Sequence, residues 1–376
     1  MTGTFYRNSA RYSTSENSAQ LHAELAGLRI LVIGTGLIGT SVGLALREHG
    51  TDVLLADRSQ QRLAAAVARG AGRLGWRREN GGPALGCAPD DRSGLPADPP
   101  PADIDHVVLA VPPREIGGAL VQWQRLLPGA TFSDTASVKV QPLVDARRLG
   151  ADLSATCGAH PVAGRERSGP DAAQADMFIG RPWIITPSEA TLDRARDHAR
   201  LVALGCGASV VELDPESHDL ALGLVSHLPH VVASAVAARL ALVPEELVRL
   251  AGPGLMDFTR IAGANADLWT EIVGANAMPV AALLNEVITE LGQVRDALAE
   301  APVGRTEPQP VVERLFRLGN TGRFRLEAGA GPRPEPAASG PSWTGQEKVS
   351  DLVPGQAEPR GASVRAIPSV RAGTED

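Results

Sequence analysis

The sequence predicts an α/β fold: a doubly wound parallel sheet over the N-terminal half, then an all-helical domain and a disordered C-terminal tail. Three observations predict it. Short runs of Val, Ile and Leu alternate with helical stretches from residue 27 to residue 187, the pattern of strands buried on both faces and joined by crossover helices. A glycine-rich turn, GTGLIG, stands between the first apolar run and the first helix, where open sheets of this kind turn sharply. From Ser188 the pattern changes to long Ala- and Leu-rich stretches, built from strong helix formers.

Residues 1–26 are polar and read as a flexible leader. GLRILVIG (27–34) is the first buried strand, and a helix follows from Leu37 to His49. DVLLAD (52–57) is the second strand, and QQRLAAAVARG the next helix, with Gly70 as its stop signal. Residues 79–101 carry Gly, Pro and Asp punctuation without periodicity and read as an exposed loop. HVVLAVPP (106–113), ATFSDTASVK (130–139) and SATCGAH (154–160) are further strand-to-loop transitions, and RPWIITP (181–187) is the last apolar run of the series. One strand-like break, ASVVEL (208–213), interrupts the helical region. The end of the chain is rich in Gly, Pro, Ala and Ser, a composition that does not offset its ordering entropy. The expected organisation is a leader (1–26), a dinucleotide-binding domain (27–187), a helical substrate and dimerisation domain (188–325) and a disordered tail (326–376).

Composition narrows the function. A chain of 376 residues accommodates two domains with separate cores. The net charge of -7 leaves no basic footprint for nucleic acid. Cys87, Cys157 and Cys206 form neither a metal pair nor an even disulfide set, which fits a reducing cytoplasm and makes Cys157 more readily a core residue than a nucleophile. The leader has no apolar core, and the longest apolar run is interrupted by His, Pro and Ser, so neither secretion nor membrane insertion is expected. The only tyrosines, Tyr6 and Tyr12, lie in the leader. Histidine is then the acid/base of suitable pKa for the folded part.

The first chemical motif is the glycine turn. Gly34 permits the tight turn, Gly36 lets backbone N–H groups approach a pyrophosphate, and Gly39 lets the helix pack close to the strand. Leu37 and Ile38 within the turn and Val111 after a later strand complete the expected cofactor site. Asp57, ending the second strand, is placed to accept hydrogen bonds from ribose hydroxyls, which favours NAD over NADP. Arg58 is either a cradle for a 2′-phosphate or a solvated cation.

The second motif is GAHPVAGRE (158–166), where His160 meets a Pro- and Gly-bounded loop and reads as a general base; the alternative is a satisfied structural histidine. Ser137 and Lys139 of SDTASVK lie just past a strand end, the rim where ligands bind in open sheets. Ser137 there either orients His160 or caps the following helix. His218, His227 and His230 lie on one helical stretch; His227 and His230 share a face, and His218 falls half a turn out of phase unless the helix bends, for which Pro229 supplies a reason. No acidic or Cys partner has ligand spacing to that pair, so no metal is expected. Asp257 and Arg260 of DFTR, followed by Trp269, are a carboxylate clamp or an ordinary surface ion pair.

Together GTGLIG, SDTASVK, GAHPVAGRERSG, SHD followed by VSHLPH, and DFTRIA with a downstream LW resemble the prephenate and arogenate dehydrogenase family of tyrosine biosynthesis, from about Leu28 to Arg325. The resemblance implies an N-terminal Rossmann domain, an all-helical domain that forms a homodimer, and NAD-linked oxidative decarboxylation of prephenate to 4-hydroxyphenylpyruvate and CO2. By motif matching, His160 accepts the proton of the substrate's C4 hydroxyl and Ser137 hydrogen-bonds to it and to substrate. Arg260 binds a substrate carboxylate, and Glu166 and Asp257 join it in an ionic gate. His227 and His230 position substrate, with His218 and Trp269 as neighbours. The tail lacks the elements of the regulatory ACT domain that some relatives carry. Prephenate, arogenate and 4-amino-4-deoxyprephenate remain alternative substrates. A β-hydroxyacid dehydrogenase is disfavoured because the helix from Pro215 to Leu240 has no lysine. A non-catalytic NAD-sensing module is the rival from another class.

Overall fold

The computed structural model describes residues 15–74, 103–163, 169–300 and 309–329. α1 (Ser15–Ala26) leads into β1 (Arg29–Ile33), α2 (Leu37–Glu48), β2 (Asp52–Ala56), α3 (Gln60–Ala68) and the two-residue β3 (Arg73–Leu74). Then follow β4 (His106–Leu109), α4 (Pro113–Leu126), β5 (Thr131–Asp134), α5 (Val140–Arg148), β6 (Thr156–Pro161), β7 (Pro182–Thr186), α6 (Asp193–Gly205) and β8 (Ser209–Glu212). The eight strands form one sheet in the order β3-β2-β1-β4-β5-β6-β7-β8. β1 pairs in parallel with both β2 and β4, so the chain winds away in opposite directions on either side of it. That is the doubly wound Rossmann arrangement, whose switch point opens a crevice at the strands' C-terminal ends.

The sheet is buried on both faces because its strands are apolar at every position rather than at alternate ones. On β1, Ile30 and Val32 join the core beneath α2 and α6, whereas Leu31 and Ile33 join the opposite core with Ile116 and Trp123 of α4. The period-two alternation of the strand thus feeds two separate cores.

Three expectations are corrected. The leader is not wholly flexible: Ser15–Ala26 is helical, and Leu25 is fully buried against α6. A Cβ on Gly205 would stand 2.7 Å from Leu25 Cδ1, so the glycine admits the leucine. The sheet does not end at Pro187, because α6 packs on it and β8 pairs in parallel with β7; the strand-like break at 208–213 belongs to the sheet. β7 itself runs antiparallel to β6. The described part of the β6–β7 connection carries short 3-10 turns at Pro170–Ala172 and Ala175–Phe178, not the crossover helix that a parallel neighbour needs.

Beyond β8, α7 (Pro215–Leu222) runs through a π-turn (Gly223–His227) into α8 (Leu228–Leu240). α9 (Glu245–Val248), α10 (Pro253–Thr259), α11 (Ala266–Ala275), α12 (Ala277–Ala299) and α13 (Pro310–Glu327) complete the helical region. The chain divides into two units, residues 1–285 and 286–376. In the second, Arg314 of α13 donates to Gln293 of α12 at 2.9 Å. The expected loop at 79–101 and the tail from residue 330 lie outside the described residues.

Candidate active site

Parallel pairing brings the C-terminal ends of β1, β4, β5 and β6 to one rim. The glycine turn, Val111, the Ser137 loop and His160 therefore share an edge although 126 positions separate Gly34 from His160.

At the glycine turn, Gly34 has φ +95°, and a Cβ there would lie 2.2 Å from the Ala110 carbonyl oxygen. A Cβ on Gly39 would lie 1.9 Å from the Gly34 oxygen. Only glycine fits either place. Gly36 differs: a Cβ there meets nothing within 4 Å. It caps α2 without a side-chain bond, so the first N–H groups of that helix, at Leu37, Ile38 and Gly39, have no partner within the helix. That is the cradle a dinucleotide pyrophosphate fills, and the residues fit NAD. Val111 is half-buried beside the turn, its Cγ1 3.2 Å from where a Gly34 Cβ would stand.

Asp57 is buried, and its work begins within the chain. One carboxylate oxygen accepts the Thr35 backbone N–H at 2.6 Å and the Thr35 hydroxyl at 3.0 Å. The other accepts Ser59 N–H at 2.7 Å and the exposed Arg62 guanidinium at 3.2 Å. Asp57 thus fixes the glycine turn through Thr35, and the exposed Arg62 is its outermost partner. Arg58 is exposed and forms an ion pair with Glu115 at the start of α4. A second carboxylate there opposes a 2′-phosphate.

His160 lies near the end of β6 and is 7% exposed. Burial, with Lys139 and two neighbouring imidazoles, holds its pKa well below the usual histidine range. Its Nδ1 lies 2.9 Å from His218 Nε2. Among the described residues no hydrogen bond joins Ser137 to His160; Ser137 is half-buried on the β5–α5 loop, and the imidazole's partner is His218. Lys139 is also not free at the rim. It is buried in an ion pair with Asp134 and donates to the Ala159 carbonyl at 2.6 Å. Cys157 is fully buried, and burial pushes its thiol up to about 12, so it is a core residue.

The π-turn resolves the phase of the three histidines. It adds one residue to the turn and so shifts the helical phase by about 100°. Leu228 N–H bonds back five residues to Gly223, immediately before Pro229, whose ring nitrogen has no hydrogen to donate. Gly223 sits close to α12, where a Cβ would lie 3.2 Å from Leu283 Cδ1. His218 is fully buried with its ring centroid 5.1 Å from that of His160, and its Nε2 is spent on His160 Nδ1. His227 is buried, and its Nδ1 accepts from Asn276 Nδ2 at 2.9 Å. The same amide nitrogen donates to the Asp219 carbonyl at 2.7 Å, which fixes the orientation of the amide. Burial lowers His227 to a pKa of about 4. His230 is half-buried and stacks on Trp269 with centroids 3.4 Å apart and planes 18° apart. Its Nδ1–H donates to the Ser226 carbonyl at 2.9 Å, which leaves Nε2 as the acceptor. Burial lowers the His230 pKa, and the Arg260 charge adds to the lowering. Arg260 and Asp257 are exposed at and near the end of α10. Glu166 lies outside the described residues.

The structure therefore gathers His160, His218, His227, His230, Trp269 and Arg260 as one neighbourhood. Asp219 and Asn276, which sequence reasoning did not single out, hold it together. Asp219 was visible as the last letter of SHD; Asn276 carried no signal of its own.

Comparison with known proteins covers both halves. A family model described as the prephenate dehydrogenase nucleotide-binding domain matches residues 100–212, and one described as the prephenate dehydrogenase dimerization domain matches residues 214–308. A probable prephenate dehydrogenase of Streptomyces niveus is 32% identical over 327 residues, 86% of this chain and 84% of that protein. The crystal structure of prephenate dehydrogenase from Aquifex aeolicus in complex with hydroxyphenyl propionate and NAD+ superposes with a TM-score of 0.64 at 25% identity, covering 80% of this chain and 98% of that one. Synechocystis arogenate dehydrogenase gives a TM-score of 0.62 at 26% identity, covering 80% and 100%. A nucleotide-binding domain that fits NAD, joined to a domain found in these dehydrogenases, makes the chain an NAD-dependent oxidoreductase. It belongs to the prephenate and arogenate dehydrogenase family.

Proposed function

We propose that the protein is a prephenate dehydrogenase, which oxidatively decarboxylates prephenate to 4-hydroxyphenylpyruvate and CO2 in tyrosine biosynthesis. The observation that carries this reading is His160: a buried imidazole held neutral, on the same strand-end rim as the glycine turn. NAD supplies the hydride acceptor. Gly34, Gly36 and Gly39 shape its pyrophosphate site, with Leu37, Ile38 and Val111 beside it. Asp57 holds the turn and meets the ribose once Arg62 gives way, and Glu115 beside Arg58 disfavours a 2′-phosphate.

His160 Nε2 takes the proton of the C4 hydroxyl as hydride leaves C4 and the ring carboxylate departs as CO2; aromatisation drives the reaction forward. General-base removal of that proton contributes about 10²–10⁴-fold in rate. His227 and His230 line the substrate side, His230 held flat by Trp269. Arg260 binds a substrate carboxylate, with Asp257 and Glu166 as its ionic partners and Ser137 contacting the hydroxyl from the β5–α5 loop.

Arogenate is the second reading, favoured by the likeness to the Synechocystis enzyme. We further propose a cytoplasmic homodimer formed through the helical domain. The dimerization-domain match and the exposed Leu224, Val225, Met256, Phe258 and Met278 support it. The helix Pro215–Leu240 is long and apolar enough to cross a membrane. His218 and His227 within it are buried in the network described above, which supports a core helix instead. The test is turnover of prephenate and of arogenate, each with NAD and with NADP, followed by the absorbance of reduced cofactor. Prephenate with NAD is expected to give the highest kcat/KM, and no turnover with any pair refutes the assignment.

A further inference from the structure

Beyond the base itself, the structure shows a polar chain that ends on it. Asp219 Oδ1 lies 2.8 Å from His218 Nδ1, and His218 Nε2 lies 2.9 Å from His160 Nδ1. A carboxylate oxygen accepts and does not donate, so the proton of His218 sits on Nδ1. His218 is itself held neutral, chiefly by burial, so its Nε2 carries a lone pair. That lone pair accepts a hydrogen bond from His160 Nδ1–H. His160 Nε2 is then bare.

Every member of the chain is held. Asp219 is 2% exposed, and its two oxygens also accept the backbone N–H groups of Lys139 at 2.8 Å and Val140 at 2.9 Å, at the start of α5. Asn276 fixes the Asp219 carbonyl from α11's C-terminal end. His218 is fully buried, and both of its ring nitrogens are taken, Nδ1 by Asp219 and Nε2 by His160. The charged and titratable groups around the pair are Lys139, Asp134, Asp219 and His227.

We propose that Asp219 and His218 are positioning residues that fix the tautomer of His160, so that Nε2 is the nitrogen that receives the substrate's hydroxyl proton. This rests on the reading of His160 as the base. The opposite tautomer places a hydrogen on Nε2, which then has no lone pair to accept with. Where an aspartate holds a catalytic imidazole directly, loss of tautomer control costs about 10⁴-fold in kcat. Through an intervening imidazole the expected loss is about 10²–10³-fold.

The test uses the full chain with NAD bound. Imidazole ¹⁵N NMR of the wild type is expected to show His160 protonated on Nδ1 and bare on Nε2; a proton on Nε2 overturns the proposal. His218→Phe removes the acceptor, and kcat is expected to fall about 10²–10³-fold with KM and the NAD Kd within about threefold of wild type. His218→Gln keeps the polarity, amide N–H toward Asp219 and amide oxygen toward His160, and is expected to return kcat to within about tenfold of wild type. A Phe variant with unchanged kcat and a raised KM shows a substrate contact and overturns the proposal. If the Phe variant does not fold, the wild-type spectrum and the Gln variant still decide. A wild type that turns over neither prephenate nor arogenate refutes the proposed reaction but leaves the tautomer spectrum readable, so the two failures are distinct.

Discussion

Replacing Lys139 with methionine tests how the catalytic rim is held. Lys139 is 3% exposed and Asp134 6%. Nζ pairs with Asp134 Oδ1 and donates to Ala159 O at 2.6 Å, and the same carboxylate accepts Ala136 N–H at 2.8 Å. Lys139→Met keeps the length of the side chain but leaves a buried carboxylate with one backbone donor and takes the lysine's hydrogen bond from the Ala159 carbonyl. Breaking a buried pair from one side costs about 3–5 kcal/mol. At about 2–4 °C per kcal/mol for a domain of this class, Tm falls by about 6–20 °C. Asp134→Asn in the same background removes the stranded charge and keeps the acceptor for Ala136, so the double variant is expected to recover at least half of the loss. Urea unfolding of wild type, both single variants and the double variant gives the coupling directly. A loss under about 1 kcal/mol for Lys139→Met, or a double variant no better than that single, refutes the reasoning.

Four glycine and histidine-network outcomes follow from the same geometry. Gly39→Ala drives a Cβ into the Gly34 carbonyl, so the turn must move, at about 1–3 kcal/mol, and NAD titration is expected to show about 10–100-fold weaker binding. Gly36→Ala meets no protein atom, so its urea midpoint stays at wild type while NAD binding weakens; an unchanged Kd there removes the pyrophosphate from that space. Acid weakens the fold: His227 is lowered from 6.5 to about 4, so the unfolded chain takes up the proton first, and stability falls as pH drops from 6.5 to 4, by about 3 kcal/mol in total, with no contribution from this residue above 6.5. His160, His218 and His106 shift in the same direction. Urea midpoints between pH 8 and pH 4 check this, and His227→Gln must flatten the acid limb. Asn276→Leu takes one of two donors from the Asp219 carbonyl, which keeps the Gly223 N–H, and leaves the buried His227 Nδ1 without its partner, with an expected cost of about 1–3 kcal/mol in unfolding and a raised substrate KM; unchanged values on both counts dismiss its bridging role.

Much of the fold was legible because buried parallel strands are apolar at every position, so RILVI, DVLLA and HVVL declare themselves without an alignment. What periodicity does not report is which sheet a strand joins. ASVVEL read as a strand, yet nothing in its six residues says that it pairs with β7, and the domain boundary was misplaced accordingly. The helix Ser15–Ala26 was missed because a twelve-residue polar helix is held by Leu25 entering a gap that a glycine 180 positions away leaves open. β3 spans two residues, too short for any pattern.

In the site, His160 was legible from its position at a strand end, and Pro229 correctly signalled a departure from a straight helix. Its partners were not legible. The contact between His160 and His218 joins residues 58 apart, and the role of Lys139 depends on Asp134 pointing inward rather than to the rim. Asp57 was expected to meet the ribose, and the structure adds a prior duty, holding Thr35.

The measurement that bears most directly on the account is kcat of His160→Asn with prephenate and saturating NAD, taken beside its NAD Kd. A general base at His160 makes the expected kcat about 10²–10⁴-fold below wild type, with Kd within about threefold. A variant that binds NAD and turns over at the wild-type rate contradicts it.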